Sequence, residues 1–336
     1  MYILVTGGAG YIGSHTLVKL IESGYLPLVF DNLSNSSIAS IKRVENITGK
    51  SVNFVKGDIT NEKDLLHLFD SFKIDAVIHF AGLKAVGESV LQPIKYYENN
   101  VLGSIRLFKV MTMYGIKKIV FSSSAAVYGE QKILPIKESM PIETPTNPYG
   151  ISKLMVENLL GSIQSHDKSW SVINLRYFNP VGAHKSGLIG ENPSGLPNNL
   201  MPFVTQTAIG KFPEVLIFGN NYNTHDGTGV RDFIHVVDLA AAHIKALKKT
   251  MTAKGIWTLN IGTGIGYSAL DIVKEVEKVS NRRVPYKIVG RRSGDISECY
   301  SDPSLAKEVL GWEAEKGLTE MCEDAWRWQS MNPNGY

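Results

Sequence analysis

The chain has 336 residues, enough for roughly two domains, and its 43% hydrophobic and 20% charged residues exclude a disordered or collagen-like chain. Thirty-five Lys and Arg against 32 Asp and Glu leave a formal charge of +3 with no long basic block, which argues against a nucleic-acid partner. Two cysteines, Cys299 and Cys322, exclude a disulfide scaffold; with no apolar run near the roughly 18 residues of a membrane span and residues 1–5 too short for a signal peptide, the sequence predicts a cytoplasmic protein with no membrane partner.

Residues 2–6 form an apolar run that meets Gly7, Gly8 and Gly10, followed by a helical pattern placing Leu17, Leu20, Ile21 and Gly24 on one face. Further apolar runs at 28–30, 52–55, 76–80, 119–121 and 172–175 are mostly separated by helix-length segments. Continuous apolar strands alternating with helices predict an α/β fold, a doubly wound parallel sheet covered on both faces. After Arg176 the texture changes: 179–202 is rich in Asn, Pro and Gly with no period, which reads as a segment that shapes a substrate site. A helical run at 236–249 and a strand-like 257–261 follow, so the second part reads as smaller and α+β. The boundaries predicted are 1–179 for a nucleotide-binding domain and 180–336 for a substrate-binding domain, with about 234–264 returning to pack on the first. No repeats and no metal-ligand spacing are seen among the eight histidines, so no metal is expected.

Gly8-Ala9-Gly10-Tyr11-Ile12-Gly13 matches the dinucleotide fingerprint, and Gly7, Gly10 and Gly13 also match its looser form. Glycines are needed where the chain turns sharply and lets a pyrophosphate approach the amides of a helix N-terminus. Their place between strand and helix makes the match specific, as does Asp31, 18 residues beyond Gly13. That carboxylate can accept from an adenosine ribose and would repel a 2′-phosphate, so NAD is favoured over NADP. A Rossmann-type domain is expected. Asp58 and Phe80-Ala81-Gly82 lie at further strand ends, where such sheets bind ligands and where caps and turns also occur.

Tyr149 and Lys153 are four residues apart behind Pro148, which suits a first helical turn, so both project from one helix face. The same spacing recurs at Tyr114/Lys118 and Tyr128/Lys132, but only Tyr149 opens a helix and follows the serine cluster 122–124 at a strand end. A tyrosine of ordinary pKa near 10 is a poor base at neutral pH; a neighbouring ammonium and a cationic nicotinamide ring stabilise its phenolate, a three-unit shift requiring about 4 kcal/mol. Tyr149 would then remove a hydroxyl proton, with Ser124 hydrogen-bonded to the reacting oxygen.

These residues, with the stretches 5–16, 79–89, 175–183 and 227–232, resemble the extended short-chain dehydrogenase/reductase family nearly end to end, and within it the branch that epimerises sugar nucleotides. The resemblance implies an isomerase that inverts C4 of UDP-hexoses through a transient 4-keto sugar while NAD stays bound. It implies Tyr149, Lys153 and Ser124 as the catalytic trio, and cofactor contacts from Tyr11, Ile12, Asp31, Asn32, Asn35, Ser36, Asp58, Ile59, Phe80, Ala81, Lys84, Asn99 and Phe178, beside Gly7, Gly10, Gly13 and Gly82. Around the UDP-sugar substrate it places Asn179, Asn199, Leu200, Phe218, Arg231, Arg292 and Asp295, the two arginines forking onto the diphosphate. It implies a homodimer through residues 93–113 and 149–163. By the same resemblance Cys299, just after Arg291-Arg292-Ser293-Gly294-Asp295, lines the sugar pocket, and its small size implies acceptance of N-acetylated sugars. Two departures stand out: Phe233 replaces a usual Tyr, and Ala126 a common Thr. The alternatives are a sugar-nucleotide 4,6-dehydratase, which needs an acid and a base where this chain has Ala125 and Ala126, and a non-catalytic NAD-sensing protein.

Overall fold

The computed structural model describes residues 1–193, 195–292 and 295–336. Ser194, Ser293 and Gly294 lie outside the described residues, the last two being part of the motif before Cys299. The first half runs β1 (Tyr2–Thr6), α1 (Tyr11–Glu22), β2 (Leu26–Asp31), α2 (Ile38–Thr48), β3 (Asn53–Lys56), α3 (Glu62–Ser71) and β4 (Ile74–His79). Then come α4 (Val86–Leu91), α5 (Pro93–Tyr96), a π-helical segment (Tyr97–Leu102), α6 (Gly103–Met113), β5 (Lys118–Ser124), a 3-10 turn (Ala125–Tyr128), α7 (Pro148–His166) and β6 (Ser171–Tyr177). The remainder is β7 (Asn179–Val181), α8 (Leu200–Ala208), β8 (Val215–Phe218), β9 (Val230–His235), α9 (Val236–Thr252), β10 (Gly255–Ile261), β11 (Gly266–Ser268), α10 (Ala269–Ser280), β12 (Tyr286–Val289), β13 (Glu298–Cys299), α11 (Ser304–Leu310) and α12 (Leu318–Met331).

Seven strands make one parallel sheet in the order β10-β6-β5-β4-β1-β2-β3. Successive residues of each strand face opposite sides, and the packing follows that period. Ile3 and Val5 join Val29, Ile173, Leu17, Leu20 and Leu247 on the face covered by α1, α2 and α9. Leu4 joins Leu28, Phe121, Leu65, Leu107, Val156 and Leu160 on the face covered by α3, α6 and α7. Both faces are buried, which is why these strands read as unbroken apolar runs. The strand order reverses between β1 and β4, so their C-terminal ends open the crevice in which such sheets bind ligands.

Two smaller sheets follow. In one, β9 pairs with β11 antiparallel and with β13 and β7 parallel; in the other, β8 and β12 pair. Val181, Val204, Ile217, Phe233, Ile272 and Cys322 form their core with α8, α10 and α12. One local expectation is corrected: Gly24 is not on the buried face of α1. It lies exposed beyond the helix end at φ +82°, where its missing Cβ lets the chain turn toward β2.

Candidate active site

The glycine turn comes first because its geometry leaves room for a ligand. Gly7 sits at φ +68°, and a Cβ there would stand 2.7 Å from the Ala81 nitrogen; at Gly13 it would meet the Gly7 carbonyl oxygen at 2.6 Å. The helix it feeds has Gly10 at its N-cap, and no side chain caps it. The α1 amides thus point out of the turn, a ready anion cradle. Asp31 ends β2 beside it, its carboxylate accepting from the Ala9 amide (3.0 Å), the Leu33 amide (2.8 Å) and the Ser36 hydroxyl (2.8 Å). Next to it Asn32 donates to Asp58 at 2.8 Å, and Asp58 also accepts from the Thr60 hydroxyl at 2.7 Å. Those bonds hold the Asp58 carboxyl below its ordinary pKa against the opposing effect of burial. This uncapped, side-chain-free cradle with an acidic residue at the neighbouring strand end fits a dinucleotide.

Around it the expected cofactor residues take graded positions. Tyr11 and Ile12 open α1 half-buried, the Tyr11 hydroxyl donating to the Gly182 carbonyl at 2.7 Å. Ile59 and Phe178 are buried, Phe80, Ala81 and Asn99 half-buried, and Asn35, Gly82 and Lys84 exposed.

Beneath the crevice runs a chain of hydrogen bonds that the sequence did not reveal. The Ala81 amide donates to the Thr6 hydroxyl (3.3 Å), Thr6 pairs with His79 Nδ1 (2.7 Å), His79 Nε2 with Ser104 (2.9 Å), and Ser104 donates to the Asn100 carbonyl. One direction satisfies every member, which assigns His79 as the neutral Nε2-H tautomer. Burial, with the nearby Lys153 cation, pushes its pKa down to about 3. The relay ends in the π-helical segment, whose irregular pitch brings Asn100 inward. Its side-chain oxygen accepts from the Leu83 amide (2.8 Å), and its nitrogen donates to the Leu83 carbonyl (3.0 Å) and to Ser152 (3.0 Å).

Ser124, Tyr149 and Lys153 meet where β5 ends and α7 begins. Asn147 caps α7 by accepting from the Gly150 amide at 2.9 Å, and Pro148 occupies the first turn. Lys153 is buried; its ammonium donates to the Ser122 carbonyl at 2.7 Å and lies 5.0 Å from the centre of the Phe121 ring. Burial lowers its pKa to about 8, and Glu157 opposes that shift. For Tyr149 burial raises the phenol, while the Ser124 hydroxyl and the Lys84 cation lower it. Lys153 is tied to the end of β5 one helical turn along α7 from Tyr149, and Lys84 is a second cation that reaches the phenol. The Ser124 oxygen also accepts from the Ala126 amide at 3.1 Å.

On the far wall, Arg231 pairs with Asp295 at 2.5 Å and donates to the Val230 carbonyl at 2.8 Å. Arg292 stacks 3.7 Å from the centre of the Phe218 ring. Asn179 and Asn199 are exposed and Leu200 half-buried. Cys299 lies opposite Arg231 in strand register and packs against the buried cluster of Val127, Tyr128, Ile136 and Phe178, its thiol pushed up to about 11 by burial. Phe233 is core, packed with Val181 and Met201. Sequence reasoning missed Glu191, which accepts from Lys84 (3.0 Å) and Asn199 (2.6 Å) and so joins the two sides of the crevice. It also missed Glu157 and Arg176, whose pairing is long-range. A charge at 157, on the face that carries Val156 and Leu160, was the available signal for the first.

Comparison with known proteins agrees with this geometry along the whole chain. A family model described as GDP-mannose 4,6 dehydratase matches residues 4–325. The UDP-glucose 4-epimerase of Bacillus subtilis (strain 168) is 57% identical over 336 residues, covering 100% of this chain and 99% of that one. The UDP-glucose 4-epimerase of Homo sapiens is 54% identical over 340 residues, covering 99% and 98%. The crystal structure of UDP-glucose 4-epimerase from Bifidobacterium longum in complex with NAD+ and UDP matches with a TM-score of 0.97 at 50% identity, covering 100% of both chains. The chain thus belongs to the NAD-dependent epimerase/dehydratase branch of the extended short-chain dehydrogenase/reductase family, and within it is similar throughout its length to the UDP-glucose 4-epimerases.

Proposed function

We propose that the protein is an NAD-dependent isomerase that interconverts UDP-galactose and UDP-glucose by inverting C4. The observation that carries this reading is the meeting of Ser124, Tyr149 and Lys153 at the end of β5, facing the uncapped glycine cradle, in a chain that matches UDP-glucose 4-epimerases end to end. Gly7, Gly10 and Gly13 would pass the pyrophosphate to the α1 amides, and Asp31 would accept from the adenosine ribose. NAD, when bound, supplies the reversible redox partner for the sugar carbon. Tyr149 takes the proton of the C4 hydroxyl and returns it to the C4 oxygen once the sugar ring has turned. Ser124 hydrogen-bonds that oxygen in both directions. Arg231 and Arg292 are the donors for the diphosphate, with Asn179, Asn199, Leu200, Phe218 and Asp295 around the nucleotide and sugar.

The same reading assigns residues 1–179 to the cofactor and 180–336 mainly to the UDP-sugar. It makes the exposed apolar residues Val90, Leu91, Ile94, Ile105 and Met155, on the adjoining α4 to α7, the face that meets a second copy. The substrate range includes UDP-GalNAc and UDP-GlcNAc, a reading supported by the small Cys299 between Phe178 and Arg231. A 4,6-dehydratase would need an acid and a base beside Ser124, and Ala125 and Ala126 offer neither.

The test is product analysis by NMR, using purified protein with UDP-galactose and no added cofactor. UDP-glucose should form. Accumulation of a 4-keto-6-deoxy sugar, or no turnover with NAD bound, would overturn the reading.

A further inference from the structure

The interior behind the site holds one ion pair that the proposed chemistry does not use. Glu157 follows Lys153 by one helical turn on α7. Its carboxylate accepts from Arg176 of β6 through Nε (3.0 Å) and Nη2 (2.6 Å), and from the Ser123 hydroxyl of β5. Both charged side chains are 5% exposed. Arg176 stacks 4.6 Å from the centre of the Tyr128 ring, and Tyr128 donates to Asn260 of β10 at 2.6 Å. The three serines at the end of β5 are thereby shared out: the Ser122 carbonyl holds Lys153, the Ser123 hydroxyl holds Glu157, and Ser124 faces Tyr149.

We infer that Glu157 is a positioning residue for the epimerisation, locking α7 onto the ends of β5 and β6 so that Lys153, Tyr149 and Ser124 keep one arrangement. This rests on the epimerase reading above. Two links on one helix face, Lys153 to Ser122 and Glu157 to Ser123, fix both the sliding and the rotation of α7, so the Tyr149 oxygen and the Ser124 oxygen keep one separation. A lone link would leave the helix free to pivot. Electrostatics points the same way. The titratable and charged groups around Lys153 are His79 from β4, Tyr149 and Glu157 from α7, Arg176 and Tyr177 from β6, and Lys84 beyond Tyr149. His79 is neutral, and burial holds the Tyr177 phenol protonated. Glu157 is the anion in this set, and it opposes the burial that drives Lys153 toward the neutral amine. The guanidinium of Arg176 grips that carboxylate through two hydrogen bonds, so neither member of the pair is buried without a partner.

The test compares the pH dependence of kcat for UDP-galactose in the NAD-loaded enzyme and its Glu157→Gln variant, which keeps the shape and loses the charge. Loss of the Lys153 proton sets the alkaline limb. Removing the anion lowers that pKa, so the limb moves about one pH unit toward acid, while KM for UDP-galactose changes less than about threefold. Glu157→Asp, which keeps the charge, retains the wild-type limb at reduced kcat. A Glu157→Gln profile that superimposes on wild type overturns the inference. Should that variant not fold, Glu157→Gln with Arg176→Gln leaves no unpaired buried charge and is expected to shift the limb the same way by a smaller amount, because the Arg176 cation is lost with the nearer anion; a limb that stays in place or moves toward alkali there overturns the inference. If wild-type protein does not turn over UDP-galactose, the epimerase reading fails separately, and an NMR titration of 15N-labelled Lys153 in wild type and Glu157→Gln still decides the charge effect.

Discussion

Lys84 and Glu191 form an ion pair of 3.0 Å that joins the loop after β4 to the segment before α8. Lys84 is also a cation that lowers the Tyr149 phenol against the effect of burial. Lys84→Met should therefore raise the Tyr149 pKa. Because the base works deprotonated, the acid limb of the kcat profile moves to higher pH. In NAD-saturated enzyme, kcat at pH 7 should fall by ~3- to 10-fold and recover as the pH rises. An acid limb that stays in place would mean that Lys84 does not reach the phenol.

Tyr149→Phe keeps the ring, the packing and the helix start, and removes only the hydroxyl. Turnover of UDP-galactose should drop by ~10² to 10⁴ with UDP-sugar binding retained, measured by steady-state rates and calorimetry. Near-normal turnover would reassign the base.

Much of this was legible because it is local. The glycine turn, Asp31 at the end of the next strand and the Tyr149/Lys153 spacing lie within short windows, and strands buried on both faces announce themselves as apolar runs. What was hidden is what depends on distant partners. Asn100 reaches Leu83 and Ser152 through a π-helical segment that no periodicity marks. Arg231, the proposed diphosphate donor, pairs with Asp295, 64 residues away, a partner no local window marks. The small sheets escaped prediction because β7, β11 and β13 have two or three residues each, too few to show an alternation.

Three buried histidines give the fold a defined acid weakness. Burial lowers His15 and His79 to about 3 and His243 to about 4, well under the ordinary 6.5. Below pH 6.5 the unfolded chain binds protons that the folded chain refuses, so stability falls as pH drops from there toward 4. The loss is at most about 1.4 kcal/mol per histidine per pH unit. Lys153, lowered to about 8, contributes its own slope only above that pH, outside this window. The urea midpoint should thus be lower at pH 5.0 than at pH 7.0, and His79→Gln should show a shallower decline. Equal midpoints for wild type at the two pH values would contradict the buried neutral state.

On the proposed reading, substrate breadth turns on Cys299. It packs against the cluster of Val127, Tyr128, Ile136 and Phe178 and lies opposite Arg231 in the β9 register, between the residues proposed for chemistry and for the diphosphate. A thiol there leaves room that a phenol ring would fill, and a substituent at C2 of the sugar needs that room while the ring turns. Overfilling a packed pocket costs typically 1 to 3 kcal/mol, and a ring in place of a thiol stands at the upper end, about a hundredfold in rate. The high thiol pKa, about 11, keeps Cys299 neutral, so volume and not charge is the variable. Wild-type protein should interconvert UDP-GalNAc and UDP-GlcNAc as well as the plain hexoses. In Cys299→Tyr, kcat/KM for UDP-GalNAc should fall ~100-fold while that for UDP-galactose stays within ~5-fold, so the ratio of the two reads the pocket and cancels any general loss of folded enzyme. A wild-type enzyme that turns over UDP-galactose and leaves UDP-GalNAc untouched would refute the N-acetyl reading and leave the C4 epimerisation standing; in that case the half-buried Tyr300, next in the chain, is the ring to suspect of filling the space.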